Sequence, residues 1–310
     1  MTSVIVFGPT GQVGSVVART AAELGAEVWL AMRNISKSIP SLTENSEKTG
    51  NFHRVQANLQ EPETVSRVVK VSKAKRAFIY LVHGTPDHLR GTIEAMKSAG
   101  IEFVVFLSSF TIFIDRALRD IESSDLIPHA HAQVEANLDD IFGPDNYVAV
   151  RPGSFITNLL SEKDGIIANK VNLYGATFEV DNISPDDIGR VIGKIIVSGP
   201  LKGQNKVYVY GPEILSRRES IVRIGEVLSK ALVITTVGAK EGYDKYINLG
   251  MPPVVAKYMV ERLSTRGSDK GNGERFPNYE EGVANVELYT GKPATSIEDW
   301  VEEHKTSFGI

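Results

Sequence analysis

Three glycines, Gly8, Gly11 and Gly14, follow the apolar run Val4–Phe7 at even spacing. The run of β-branched and aromatic residues suits a strand buried on both faces. From Gln12 to Leu24 apolar residues recur at helical spacing, at Val13, Val16, Val17, Ala21 and Leu24, and Gly25 stops the helix. Strand, glycine turn and helix therefore stand in sequence. Such a turn lets main chain approach a ligand with no Cβ in the way. The helix's first turn offers free N–H groups and the positive end of a dipole, which suit a phosphate. Gly8, Thr10, Gly11, Gln12, Val13 and Gly14 are the expected phosphate-binding residues. The plainer alternative is an ordinary βα turn with glycines for packing. "GPTGQVG" lacks the Gly-Lys-Ser/Thr ending of a nucleotide-hydrolysing loop, so phosphoryl transfer is not expected.

A second apolar run, Glu27–Met32, ends at Arg33, with Lys37 close behind. In a doubly wound sheet this strand end faces the adenosine ribose of a dinucleotide. An acid there would bond the ribose hydroxyls; a guanidinium suits an added phosphate. The expected cofactor is therefore NADP(H) rather than NAD(H), held in part by Arg33 and Lys37. Asn58, ending the next strand-like run, is placed to contact the adenine edge.

Around these residues, strand-like and helical stretches alternate. Further strands are expected at Phe52–Leu59, Arg76–Val82, Glu102–Phe110, Asn146–Gly153 and Lys206–Pro212. Helices are expected at 61–72, 87–100, 129–142, 183–199, 216–232 and 251–263, with Ser216 and Glu219 forming a capping box. Ser36–Gly50 reads as a polar loop, and the Gly-, Ser- and charge-rich stretch Ser264–Pro277 as a mobile surface loop. The alternation predicts an α/β fold: a doubly wound parallel-sheet Rossmann domain with a smaller C-terminal α/β substrate lobe. The dinucleotide domain is placed at 1–153, with 181–212 returning to its sheet; the smaller lobe takes 154–180 and 213–310.

The chain has 310 residues, 42% hydrophobic and 23% charged, an ordinary globular composition. Its net charge of −4 gives no basic field for nucleic acid or membrane. No apolar stretch would span a bilayer, and the chain opens on a core strand with no charged leader. Having no cysteine, it has no disulfide, thiolate metal site or cysteine nucleophile, and the cytosol is the simplest compartment. Its histidines show no metal-ligand spacing, so no metal is expected.

These motifs resemble the NmrA-like family of atypical short-chain dehydrogenases/reductases. The resemblance rests on GPTGQVG at Gly8–Gly14, AMRN at Ala31–Asn34, LSSF at Leu107–Phe110, RPGSFITNLL at Arg151–Leu160 and DDIGRVIGKII at Asp186–Ile196. It implies two lobes, the larger binding NADP(H), the smaller covering the nicotinamide and forming a substrate cleft. Family members include quinone and isoflavone reductases and redox sensors without turnover. By position, Val82, His83 and Gly84 after the fourth strand, and Ser108 and Ser109 after the fifth, would face the cofactor. Pro152, Gly153 and Phe155 would lie against the nicotinamide, and Phe110, Asn158, Tyr243 and Tyr246 would line the substrate cleft. Strand-end serines are also common turn formers, and such aromatics are more often core.

Typical members of the wider family use a Tyr-x-x-x-Lys pair on the helix after the fifth strand. Here that stretch reads PHAHAQVEANL, Pro128–Leu138, with neither residue. His131 and Glu135 share one helix face at i, i+4. A histidine titrating near neutrality, its tautomer held or its pKa raised by a carboxylate one turn on, would serve as acid or base. With Ser109 they are the candidate catalytic residues; a surface pair that steadies its helix is the alternative. The function expected is NADPH-dependent hydride transfer to a small apolar quinone or enone. A redox sensor without turnover and a redox-neutral isomerase remain open. The expected partner is a small-molecule substrate, for a monomer or homodimer.

Overall fold

The computed structural model describes residues 2–112, 116–265 and 276–309. The chain divides into two compact units: Met1–Pro152, Pro185–Val209 and Glu280–Lys292 in the first; Gly153–Ser184, Tyr210–Tyr279 and Pro293–Ile310 in the second.

The first unit is built on β1 (Ser3–Phe7), β2 (Glu27–Met32), β3 (Phe52–Gln56), β4 (Arg76–Tyr80), β5 (Phe103–Leu107), β6 (Tyr147–Pro152) and β9 (Lys206–Val209). They form one parallel sheet in the order β3-β2-β1-β4-β5-β6-β9. The order reverses between β1 and β4, the switch point where such sheets bind ligands beyond their carboxyl ends. On one face α3 (Pro62–Ser72), α4 (Arg90–Ala99) and α5 (Leu126–Phe142) bury Val65, Val69, Ile93, Met96, Val134 and Leu138 against Ile5, Ile79, Val104 and Phe106. Elsewhere in the unit α1 (Gln12–Glu23) packs on α7 (Pro185–Ser198). A Cβ on Gly189 would lie 2.5 Å from Val16, and one on Gly193 2.6 Å from Thr20. These two small residues, one turn apart on α7, let the helices approach.

The expected strands and helices form, with edges trimmed. β3 ends at Gln56 rather than Leu59, β4 at Tyr80 rather than Val82, and β5 at Leu107 rather than Phe110. The polar loop Ser36–Gly50 contains a helix, α2 (Glu44–Thr49), started by a capping box between Thr43 and Ser46. Helix Tyr279–Thr290 corrects the domain boundary: Glu280–Lys292 belongs to the first unit, not to the smaller lobe. There Asn285 donates to the Tyr208 carbonyl at 3.0 Å, and the Tyr289 hydroxyl accepts the Leu201 N–H at 2.9 Å. Most of Ser264–Pro277 lies outside the described residues.

The second unit carries two small sheets, β7 (Lys170–Leu173) beside β11 (Val233–Thr236) in parallel and β8 (Glu179–Val180) against β10 (Leu215–Ser216) antiparallel. Its helices include α6 (Lys163–Ile167), α8 (Arg217–Val227), α9 (Ala239–Asn248), α10 (Pro253–Thr265) and Ile297–Glu303. Trp300, Phe308, Ile221 and Val171 fill one core. The capping box of Ser216 and Glu219 starts α8 as expected. Among the described residues no helix is long and apolar enough to cross a membrane.

Candidate functional site

Gly8 lies at φ +69°, donates to the Ala31 carbonyl at 3.0 Å and accepts the Gly11 N–H at 3.1 Å. A Cβ on Gly8 would sit 2.5 Å from the Tyr80 ring; one on Gly14 would sit 2.3 Å from the Gly8 carbonyl oxygen. The turn itself therefore demands both glycines. Gly11 differs. It caps α1 at φ −87°, and a Cβ there would meet only the Gly8 oxygen at 3.5 Å, ordinary contact. Gly11 and Gln12 are exposed, Thr10 is half-buried and Val13 is buried, so Val13 has only its main chain to offer. A helix start leaves its first N–H groups without intrahelical acceptors. Main-chain donors around a position kept clear without internal need fit a dinucleotide pyrophosphate.

Arg33 is exposed at the carboxyl end of β2, and among the described residues its guanidinium makes no ion pair or hydrogen bond. Its charge reaches Tyr80: burial raises that phenol above the ordinary tyrosine range while Arg33 pulls it back. A free cation thus lies near the glycine turn at the switch point. Lys37 is exposed nearby. Asn58 donates from Nδ2 to Glu61 at 2.8 Å and its Oδ1 accepts the Gln60 N–H at 3.1 Å, so its amide shapes the turn into α3.

The largest correction concerns His131 and Glu135. Glu135 has 0% exposure, and its partner is Arg151 on β6. Arg151 donates from Nε to Oε1 at 3.0 Å and from Nη2 to Oε2 at 2.6 Å, while the Ser108 hydroxyl donates to Oε1 at 2.5 Å. The remaining Arg151 Nη1 donates to the Tyr208 hydroxyl at 2.9 Å. A fork of two N–H bonds from a full charge outcompetes a neutral ring one turn away. The surface-pair alternative fails too, since Glu135 is enclosed. Ser108 spends its hydroxyl proton inside this network, so it has no hydrogen to donate elsewhere. The missed signal was Arg151 itself: a charge within the otherwise apolar run "NYVAVRPG" needs a buried partner.

His131 instead sets its Nδ1 2.8 Å from the Ile127 carbonyl. Burial pulls its imidazole down to about 4, against the raising pull of that carbonyl and of Glu135. The ring is therefore neutral at physiological pH, which removes the acid half of the expected role. Ser109 forms a turn: its hydroxyl contacts that of Thr111 at 2.9 Å and accepts the Thr111 N–H at 3.2 Å. Phe110 is buried and donates its N–H to the Pro152 carbonyl at 3.2 Å. His83 and Gly84 are exposed beyond β4, and half-buried Val82 accepts the Thr85 hydroxyl at 3.1 Å.

Within the second unit, a Cβ on Gly153 would lie 2.0 Å from the Asp181 carboxylate, so the fold explains this glycine. Asp181, which the sequence did not flag, accepts the N–H groups of Ser154 at 2.7 Å and Gly211 at 3.0 Å. Burial pushes its carboxyl up to about 7. Phe155 bridges to Ile183 and Asn158 is exposed. Tyr246 is buried beside Tyr174, Phe178 and Ala256, with Tyr243 packed at the edge of this cluster. Tyr246 thus serves the core of its unit, while Tyr243 keeps part of its surface open.

Comparison with known proteins matches a family model described as NAD(P)H-binding over residues 8–198. A nitrogen metabolite regulation-like protein, bik4, of Gibberella fujikuroi is 33% identical, covering 96% of this chain and 95% of the relative. A (4-alkanoyl-5-oxo-2,5-dihydrofuran-3-yl)methyl phosphate reductase of Streptomyces griseus is 26% identical over 98% of this chain and 99% of the relative. The crystal structure of Citrobacter sp. triphenylmethane reductase complexed with NADP(H) superposes with a TM-score of 0.72 at 14% identity, over 98% and 99% of the two chains, a likeness of fold. The chain belongs to the NAD(P)H-binding family, as an NmrA-like member of the atypical short-chain dehydrogenases/reductases, and a nicotinamide dinucleotide is its cofactor.

Proposed function

We propose that the chain is an NADPH-dependent oxidoreductase acting on a small apolar quinone- or enone-type molecule. Bound at the glycine turn, NADPH supplies the hydride. The observation that carries the choice of substrate class is the state of Glu135 and His131: one is consumed by Arg151, the other is a neutral ring. An isolated ketone needs an acid to meet its developing oxyanion. A conjugated acceptor spreads that charge over its own π-system and takes its proton from water, so it asks less of the side chains. The Streptomyces reductase and the NADP(H)-bound Citrobacter fold support a reductase. The free guanidinium of Arg33 supports NADP(H) over NAD(H), and the cysteine-free chain suits the cytosol.

Loss of NADPH absorbance with quinones and enones, but not with simple ketones, is the expected result; no loss across a broad panel would sink the proposal. Gly11→Ala should keep the fold, having room for its methyl, yet weaken NADPH binding about tenfold or more. Arg33→Gln should weaken NADPH about tenfold and leave NADH nearly unchanged.

The same locked Glu135 supports a second reading, a dinucleotide sensor without turnover, in line with the regulation-like relative. Such a sensor must bind NADP⁺ and NADPH unequally. Equal affinities in calorimetry would remove it.

A further inference from the structure

We infer that His131 determines substrate choice by accepting a hydrogen bond, through Nε2, from an aromatic or enolic hydroxyl on the bound small molecule. The inference rests on the reductase reading above and names a second feature of the acceptor: beside its conjugated carbonyl it carries a free O–H.

The tautomer carries the argument. The atom facing His131 Nδ1 is the Ile127 carbonyl oxygen, 2.8 Å away, which can only accept. In the neutral ring, Nδ1 must therefore hold the hydrogen, and Nε2 is left as a bare lone pair. The groups around the ring preserve this state. Ile127 belongs to the preceding turn of α5; the Phe106 ring of β5 lies 6.2 Å away, centroid to centroid. The nearby charges are mixed: Glu135 favours protonation, while His83 and Arg151 oppose it. Enclosure outweighs them and keeps the ring unprotonated at neutral pH.

His131 as a residue is half-buried, and its Nε2 is not among the polar atoms sealed from solvent without a partner. Its neighbour His83 follows β4, one strand from β5, at the carboxyl edge of the sheet where the switch point lies. A lone pair there repels a carbonyl oxygen and welcomes a donor. Replacing the donor hydroxyl by a methyl ether leaves the acceptor desolvated and unpaired, a loss that discriminates strongly.

The test uses 4-hydroxybenzylideneacetone and its methyl ether, two enones differing only at the hydroxyl. Each is titrated calorimetrically into the full chain saturated with NADP⁺, so that no turnover follows. The hydroxyl compound should bind at least about fivefold tighter than the ether. The preference should vanish in His131→Phe, which keeps a ring of similar volume, and return in part in His131→Gln, which restores an acceptor. NADP⁺ affinity should be the same in all three proteins, showing that each is folded. Equal binding of the two compounds by the unmodified chain, binding of neither, or a preference that survives in His131→Phe would overturn the assignment. Failure to take up NADP⁺ would instead sink the reductase reading, and the same pair titrated against the protein alone would still decide the role of His131.

Discussion

Glu135 in the first unit and Asp181 in the second are both closed to solvent, with 0% and 1% exposure. Glu135 lies under a strand that carries Arg151, and it receives a two-pronged guanidinium and the Ser108 hydroxyl. Asp181 sits among glycines. Gly153 and Gly211 admit it because neither has a Cβ, and the main-chain N–H groups of Ser154 and Gly211 reach its oxygens. No charged side chain bears on its ionisation among the described residues. The contrast shows what each kind of partner does. A guanidinium compensates a buried charge, whereas two N–H dipoles do not: burial still pushes Asp181 up to about 7.

Breaking the paired case should have the largest effect. Arg151→Met leaves Glu135 buried without its cation, and should cost about 3–5 kcal/mol of stability in urea unfolding. A Glu135→Leu/Arg151→Met double variant, which removes both charges, should recover most of that loss. A double variant no better than the single one would show that the pair is needed for packing rather than for charge balance.

The unpaired case predicts a pH dependence of the opposite sense to that of an ordinary salt-bridged acid. An unfolded aspartate titrates near about 4, while Asp181 holds its proton up to about 7. Between those values the folded chain binds the proton that the unfolded chain has released. Raising pH through this window should therefore lower stability, by an amount on the order of a few kcal/mol. The urea midpoint should fall from pH 5 to pH 8, and Asp181→Asn should flatten that slope. A slope unchanged by the substitution would assign the titration to another group.

The smallest expected effect sharpens the comparison from the side of Glu135. Ser108→Ala removes one neutral donor from a carboxylate that keeps its guanidinium, and should cost only about 1–2 kcal/mol by the same unfolding measurement. A loss as large as that of Arg151→Met would mean that the hydroxyl, not the cation, balances the charge.

Sequence alone determined whatever depends on a few neighbouring residues. The β1–turn–α1 unit, the order of alternating strands and helices, and the capping box at Ser216 were all legible, because backbone sterics, helical periodicity and helix-end donors act over one or two turns of chain. Even within the glycine motif, the sequence could not separate Gly8 and Gly14, which the turn requires, from Gly11, which it does not. Tertiary structure decided which charges meet. Glu135 found Arg151 across the fold rather than His131 one turn away, Asn58 was spent on its own turn, and helix Tyr279–Thr290 joined the first unit through Asn285 and Tyr289. Desolvation and pairing depend on what the sheet order places opposite a side chain, and no local pattern carries that information.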